Sequence, residues 1–283
     1  MIVSKPNKKY PLKLQDVLKI KSILFSNTKR GFNPIVLSMP VNDLDSEKKM
    51  KCNTVYRSHR YQTKHDYGHL NLISDKIRLQ MVERIRNSGI HQNLILEAFQ
   101  YIPRHLFVDT ALAAQAYEEI ALPIGEKQTI SKPTVIAYML SQLLVDPTKK
   151  LGKVLEIGTG CGYQSAILSY LADEVYSIER IKSLLEKAKN NLRPLQISNI
   201  RLHYGDGQLG LHIAAPYDAI VLAAAGLSIS PELIDQLAIG GRLIAPIGEK
   251  SQQLVLIEKV SSTVCKKSFL KDVYFVPMKT GVR

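Results

Sequence analysis

Residues 153–163, KVLEIGTGCGY, constrain the fold more than any other stretch of this chain. A short apolar run, Val154, Leu155 and Ile157, breaks into three glycines and is followed by a helical pattern from Gln164 to Leu171. That is a strand, a tight turn and a helix start. Glycine is needed at Gly158, Gly160 and Gly162 because a Cβ would oppose positive φ angles in the turn or keep a ligand from the backbone. A nucleotide-like ligand suits such a turn. The dinucleotide pattern G-x-G-x-x-G wants its third glycine at position 163, where this chain has Tyr163, and Glu156 stands two residues ahead of the first glycine. Both details favour S-adenosylmethionine over NAD. By itself the turn is equally compatible with a plain βα connection, so the remaining chain must decide.

Beyond Gly152 the pattern alternates in the α/β manner. Strands are expected at 153–157, 174–178, 199–204, 218–223, 241–246 and 253–259, with a last one near 272–276, and helical stretches between the first five. This predicts a doubly wound, mostly parallel seven-stranded sheet, with its ligand beyond the carboxyl ends of the strands. Three features fall at those ends: the glycine turn, Glu179, and Gly205-Asp206-Gly207. A carboxylate at Glu179 can accept from both ribose hydroxyls, the competing reading being an ion pair with Arg180 or Lys182. Asp206, between two glycines, is expected to face an adenine amino group, though alone it would read as a turn residue.

The chain has 283 residues, 45% of them apolar, enough for one large domain or two modest ones. No apolar run approaches membrane-spanning length, and the Lys-rich start leads into no secretory core, so an intracellular, cytoplasmic protein is expected. Cys52, Cys161 and Cys265 are too few and too scattered for a disulfide framework or a zinc site. The net charge of +13 is concentrated at the front, where residues 1–75 carry 14 Lys and Arg against 6 Asp and Glu. This reads as a basic, solvated extension, residues 1–73, with one short amphipathic helix around Leu14, Val17, Leu18 and Phe25. Attachment to nucleic acid is the sharper alternative and would run only through this extension. His59, His65 and His69 lack metal-ligand spacing and read as solvated histidines.

A main domain is expected over 74–283. Ser74 is positioned to cap a helix whose apolar residues Ile77, Met81, Val82 and Ile85 recur at helical intervals before Gly89. A second helix, Leu94 to Tyr101, is stopped by Pro103. In ALPIGEKQTISKP, Pro123, Gly125 and Pro133 bracket Gln128, Thr129, Ile130 and Ser131, a hydroxyl-bearing loop ahead of a helix over 134–144. The bland reading of Ser131 is a turn with a helix cap.

The chain from about 74 onward resembles the protein-L-isoaspartate O-methyltransferase family. The likeness rests on PRHLFVD (103–109), ALPIGEKQTISKP (121–133), VLEIGTGCGYQSAIL (154–168), VYSIER (175–180), HYGDG (203–207), LIDQLAIGGRLIAPIG (233–248) and FVPM (275–278). PIGEKQTIS is close to diagnostic, whereas the glycine motif is shared by many methyltransferases. The resemblance implies a Rossmann-like fold, methyl transfer from S-adenosylmethionine to L-isoaspartyl residues of damaged proteins, and no metal. A monomer is expected, although nothing in the sequence fixes the oligomeric state. The resemblance places Ser131 at the reaction centre and cofactor contacts at Gln128, Thr129, Ile130, Ser131, Gly158, Gly160, Glu179, Arg180, Asp206 and Gly207. Cys161 departs from the small residue usual there, Ile136 and Lys279 replace side chains that contact cofactor in some relatives, and residues 1–73 fall outside the likeness.

The implied chemistry needs no general base, since a carboxylate with a reference pKa of about 3.3 to 4 is already ionised at neutral pH. The protein must align oxygen, methyl carbon and sulfur, and a neutral donor such as the Ser131 hydroxyl suits a carboxylate whose charge disappears in the transition state. No triad accompanies Ser131, which argues against covalent attack. Two rivals are a methyltransferase acting on RNA or a small molecule, which should lack PIGEKQTIS, and a non-catalytic binding module, which should have lost Ser131 or Glu179.

Overall fold

The structure, a computed structural model, describes residues 68–283, with side chains from Asp75 onward. The helix expected around Leu14 to Phe25 lies outside the described residues, as do the side chains of His59, His65 and His69. In chain order the elements are α1 (Gly68–Asn87), α2 (Asn93–Tyr101), a hairpin of β1 (Leu122–Gly125) and β2 (Gln128–Ile130), then α3 (Pro133–Leu143). There follow β3 (Leu151–Ile157), α4 (Tyr163–Leu171), β4 (Ala172–Glu179), α5 (Lys182–Leu192) and β5 (Ile200–Tyr204). The chain closes with β6 (Tyr217–Leu222), α6 (Pro231–Asp235), β7 (Leu237–Gly248), β8 (Gln252–Lys259) and β9 (Cys265–Val273).

Strands β3 to β9 form one seven-stranded sheet in the order β5-β4-β3-β6-β7-β8-β9. The first five of that order pair in parallel, and β8 runs antiparallel to both its neighbours. Both faces are buried, which is why the parallel strands read as continuous apolar runs. Val154, Ala219 and Val221 pack into a cluster with Met81, Phe99, Met139, Ile167 and Leu184 from α1 to α5. The alternate residues Leu155, Ile220 and Leu222 face a second cluster that includes Leu233 of α6. At nine residues α2 is too short to persist alone in water, so burial of Ile95, Ala98 and Phe99 is what holds it.

Four details depart from the sequence expectation. Helix α1 starts at Gly68, so Ser74 lies inside it and not at its N-terminus; no Gly or Pro between 69 and 88 interrupts propagation. Between β5 and β6 there are only two three-residue 3-10 turns, Gly207–Leu209 and His212–Ala214, and no α-helix. The last strand is 265–273, earlier than expected, because an edge strand carrying Lys266, Lys267 and Lys271 has no apolar run to betray it. The PIGEKQTI segment is a β-hairpin, not a loop.

The hairpin's turn explains why its strands went unrecognised. Gly125, Glu126 and Lys127 all have positive φ, at 98°, 54° and 58°. Tight hairpin turns with two successive positive φ angles usually advertise themselves as Asn-Gly or Asp-Gly. Here Glu and Lys occupy that conformation, which is uncommon for them and is held by tertiary partners: Glu126 accepts from Ser183 Oγ at 2.7 Å and pairs with Arg283.

Candidate active site

Strand order reverses between β3 and β6, so the chain leaves the two strand ends in opposite directions and opens a crevice there. The glycine turn after β3 lines it. Gly158, Gly160 and Gly162 have φ of 95°, 57° and 88°, as the sequence required. Gly162 also lets α4 approach α5, since a Cβ there would stand 3.2 Å from Leu192 and 3.3 Å from Ala188. Gly158 N–H donates to Ile178 O at 2.9 Å, and Ala223 N–H at the end of β6 donates to Ile157 O at 2.8 Å, which fixes the crevice walls.

Two contiguous cavities sharing Gly158, Gln128, Glu179 and Ala224 form the main cleft, the larger about 680 Å³. That size suits a nucleoside-bearing molecule. Gln128, Thr129, Ile130, Ser131, Gly158, Gly160, Glu179, Arg180 and Gly207 all line it. Ile136 adds an apolar wall, and Lys279 borders the opening. The residues fit S-adenosylmethionine: a buried carboxylate at one strand end, glycines without Cβ against the crevice, and apolar Ile124, Ile130 and Ile136 around the interior.

Glu179 is 5% exposed and is not paired with Arg180 or Lys182. Its Oε2 accepts from Gly160 N–H and its Oε1 from Ile181 N–H, each at 2.9 Å. Each oxygen keeps a second lone pair for a further donor. The carboxylate therefore pins the glycine turn and the entry to α5 while facing the cleft. Arg180 instead donates to Gly281 O at 2.8 Å, and its own carbonyl accepts from Arg283 N–H at 2.8 Å. Its guanidinium and carbonyl thus tie down residues 280–283, and Arg283 lines the cleft with Pro277, Met278 and Lys279.

Asp206, at the end of β5, is held by two backbone N–H groups, one to each carboxylate oxygen. Its Oδ1 caps the turn at Gln208 N–H at 3.0 Å, and its Oδ2 accepts from Gly281 N–H at 2.5 Å. The side chain is absent from the cleft lining, and neighbouring Gly207 is present. A Cβ at Gly207 would fall 2.2 Å from Ile157 Cγ2, so only glycine fits under that strand end.

Glu156 lies beneath the turn and points away from the cleft. It is fully buried, accepting from Ser177 Oγ at 2.6 Å and from Ser165 Oγ, while Thr159 Oγ1 and Ser177 Oγ are 2.6 Å apart. Burial pushes its carboxyl up to about 7, against the lowering effect of the two serine hydroxyls. Burial likewise pushes the Cys161 thiol up, consistent with a packing role. Among the described residues, no group of three or more His, Cys, Asp or Glu is arranged to hold a metal ion.

Ser131 follows β2 and precedes α3. The helix cap position belongs to Lys132, and no side chain caps it, so the bland reading of Ser131 does not hold. Together with Thr129, Ala223 and Val276, Ser131 lines both the main cleft and a second one of about 540 Å³ bordered by Lys132, Val135 and residues 272–276. Those last residues leave the sheet after β9 and dock through Phe275, which exchanges two hydrogen bonds with the side chain of Gln252. Sequence reasoning missed this second cleft, the 277–283 wall and buried Arg104. A cation inside the apolar PRHLFVD stretch was the available signal for Arg104.

A model of the protein-L-isoaspartate(D-aspartate) O-methyltransferase family matches residues 76–283. A Burkholderia pseudomallei protein-L-isoaspartate O-methyltransferase is 57% identical over 217 residues, covering 76% of this chain and 67% of that one. One from Burkholderia vietnamiensis is 57% identical over 218 residues, covering 76% and 70%. A solved protein-L-isoaspartate O-methyltransferase structure superposes with a TM-score of 0.66 at 28% identity, over 72% of this chain and 67% of the other. A Plasmodium falciparum structure of the same description, in complex with S-adenosyl-L-homocysteine, has a TM-score of 0.62 over 71% of this chain and 97% of its own; at 24% identity it supports the fold alone. With the match spanning the hairpin, the glycine turn and the 277–283 wall, this chain belongs to the protein-L-isoaspartate(D-aspartate) O-methyltransferase family.

Proposed function

We propose that the two clefts meeting at Ser131 divide the reaction between them, the main cleft taking the methyl donor and the second taking the acceptor carboxylate. The chain is an S-adenosylmethionine-dependent protein carboxyl O-methyltransferase that methylates the free α-carboxylate of L-isoaspartyl residues, which starts their repair through a succinimide. The division of labour among residues is our reading. The observation that carries it is that Thr129 and Ser131 border both clefts.

S-adenosylmethionine, when bound, would supply a methyl carbon already activated by its sulfonium, to be passed to the carboxylate oxygen with the carbon–sulfur electron pair left on sulfur. Every other contribution is positional. Glu179 holds the glycine turn and offers its remaining lone pairs to ribose hydroxyls. The Ser131 hydroxyl donates to the acceptor carboxylate, holding it in line without a full counter-charge that would stabilise the ground state more than the transition state. Isoleucines 124, 130 and 136 keep water from the donor side. Alignment of this kind contributes roughly 7 to 11 kcal/mol in favourable cases.

The remaining parts of the reading are a monomer acting in the cytoplasm on many damaged proteins, and a basic extension over 1–73 that contributes nothing to the chemistry. The family match beginning at 76 supports that boundary. Among the described residues no helix is long and apolar enough to cross a membrane.

The decisive test offers labelled S-adenosylmethionine with matched peptides. The L-isoaspartyl peptide should be methylated and the normal aspartyl peptide ignored, because the two differ in which carboxyl carries the chain. Equal methylation of both, or of neither while RNA or a small acid is labelled, would overturn the reading.

A further inference from the structure

Arg104 sits in a short 3-10 turn after α2 and is 0% exposed. Its Nε donates to Ala116 O at 2.7 Å and its Nη2 to Ser131 O at 2.7 Å. The guanidinium lies over the Tyr163 ring, 4.9 Å from the centroid. Nη1 has no hydrogen-bond acceptor among the described residues. A buried cation whose hydrogen-bond acceptors are two neutral carbonyls is costly to keep: burial pulls its pKa down, and nearby Tyr163 and Glu119 offset that only in part. Replacing buried charged groups by apolar side chains of similar volume is often neutral or stabilising, so a role beyond packing is called for.

The three partners indicate the role. Ser131 carries the hydroxyl at the junction of the two clefts, and Tyr163 is the first residue of α4, directly after the glycine turn; both line the main cleft. Ala116 anchors the guanidinium to the segment leading into the hairpin. One rigid plane thereby fixes the loop that orients the acceptor against the turn that holds the donor. Lysine is a poor substitute: its compact ammonium lacks the planar fork whose separate N–H groups reach two carbonyls while its face lies on a ring.

We propose that Arg104 is a positioning residue for methyl transfer, setting the Ser131 loop in register with the glycine-turn helix. This rests on the reading that Ser131 orients the acceptor carboxylate. Misplacement of that loop should slow the chemical step far more than it weakens donor binding, because in-line attack tolerates little displacement.

The test compares R104K, S131A and the double variant, measuring kcat on an L-isoaspartyl peptide, S-adenosylhomocysteine affinity by calorimetry, and the thermal midpoint. R104K should lose about ten- to a hundredfold in kcat, the scale of one charged hydrogen bond, with affinity held within about threefold. In the S131A background the same substitution should cost less than about threefold, since residues acting through one another are not additive. A folded R104K with normal kcat overturns the proposal, as does a parallel fall in kcat and cofactor affinity, or full additivity with S131A. A fully active S131A beside a slow R104K removes the Ser131 reading and with it the route assigned to Arg104, whereas a slow S131A beside a normal R104K removes Arg104 alone. Should R104K fail to fold, R104Q is scored by the same criteria, and if neither folds the residue is structural and the proposal falls.

Discussion

Replacing Glu179 by Gln separates scaffold from ligand contact at the cofactor site. The carboxylate accepts two backbone N–H groups at 2.9 Å, from Gly160 and Ile181, in a nearly buried position. Gln keeps one accepting oxygen and turns an amide N–H₂ toward the other donor, so one charge-assisted bond is lost and a buried N–H is left facing a donor. Bonds of that kind are worth about 1.5 to 3 kcal/mol, which sets the expected loss of stability without ligand. The same amide cannot accept from a ribose hydroxyl, so one ligand bond is lost as well, and affinity for S-adenosylhomocysteine should fall about 10- to 150-fold. Calorimetry at 25 °C, with urea unfolding of the unliganded protein alongside, reads both effects. If E179Q folds, is destabilised as expected and still binds within threefold of the parent, Glu179 is only a scaffold for the turn and the ribose assignment is refuted.

Glu156 should produce a distinctive pH dependence. Its carboxyl is pushed up to about 7 in the folded chain from 4.5, so the folded state binds this proton more tightly than the unfolded state does. Its stabilising contribution is therefore complete below about pH 4.5 and is lost as pH rises toward 7, by at most about 3 kcal/mol at 1.36 kcal/mol per pKa unit. Urea unfolding at pH 5 and pH 8 should show a larger loss in the parent than in Glu156→Gln; equal slopes would mean that Glu156 does not carry the proton. The Arg283–Glu126 pair joins the 277–283 wall to the strained hairpin turn, yet its side chains are 54% and 37% exposed. Arg283→Ala should thus cost less than about 1 kcal/mol in S-adenosylhomocysteine affinity. Removal of residues 279–283 should cost more than tenfold, because it also deletes the backbone bonds to Asp206, Arg180 and Lys182; equal effects of the two changes would show that the ion pair alone holds the wall.

Local chemistry made much of this protein legible in sequence. Continuous apolar runs marked the buried parallel strands, and three glycines that need positive φ located the turn of the crevice. A carboxylate at the end of β4, Glu179, was legible as an acceptor and does line the cleft. These signals depend on neighbouring residues along the chain, so no contact map was needed to read them. Elements whose conformation is imposed from a distance were misread or missed. The Glu126-Lys127 turn carries no turn residues of its own and is held by Ser183 and Arg283. Asp206 also receives the backbone N–H of residue 281, 75 positions later, a tie that its neighbours along the chain do not announce. Arg104 acquires meaning only when folding brings Ala116, Ser131 and Tyr163 around one guanidinium. The second cleft likewise exists only because the chain after β9 returns to Gln252 and then passes Ala225 at the end of β6. Residue type and spacing thus determined the glycine-turn side of the cleft, whereas the second cleft and the contacts around Ser131 depend on segments far apart in sequence, which only the tertiary structure decides.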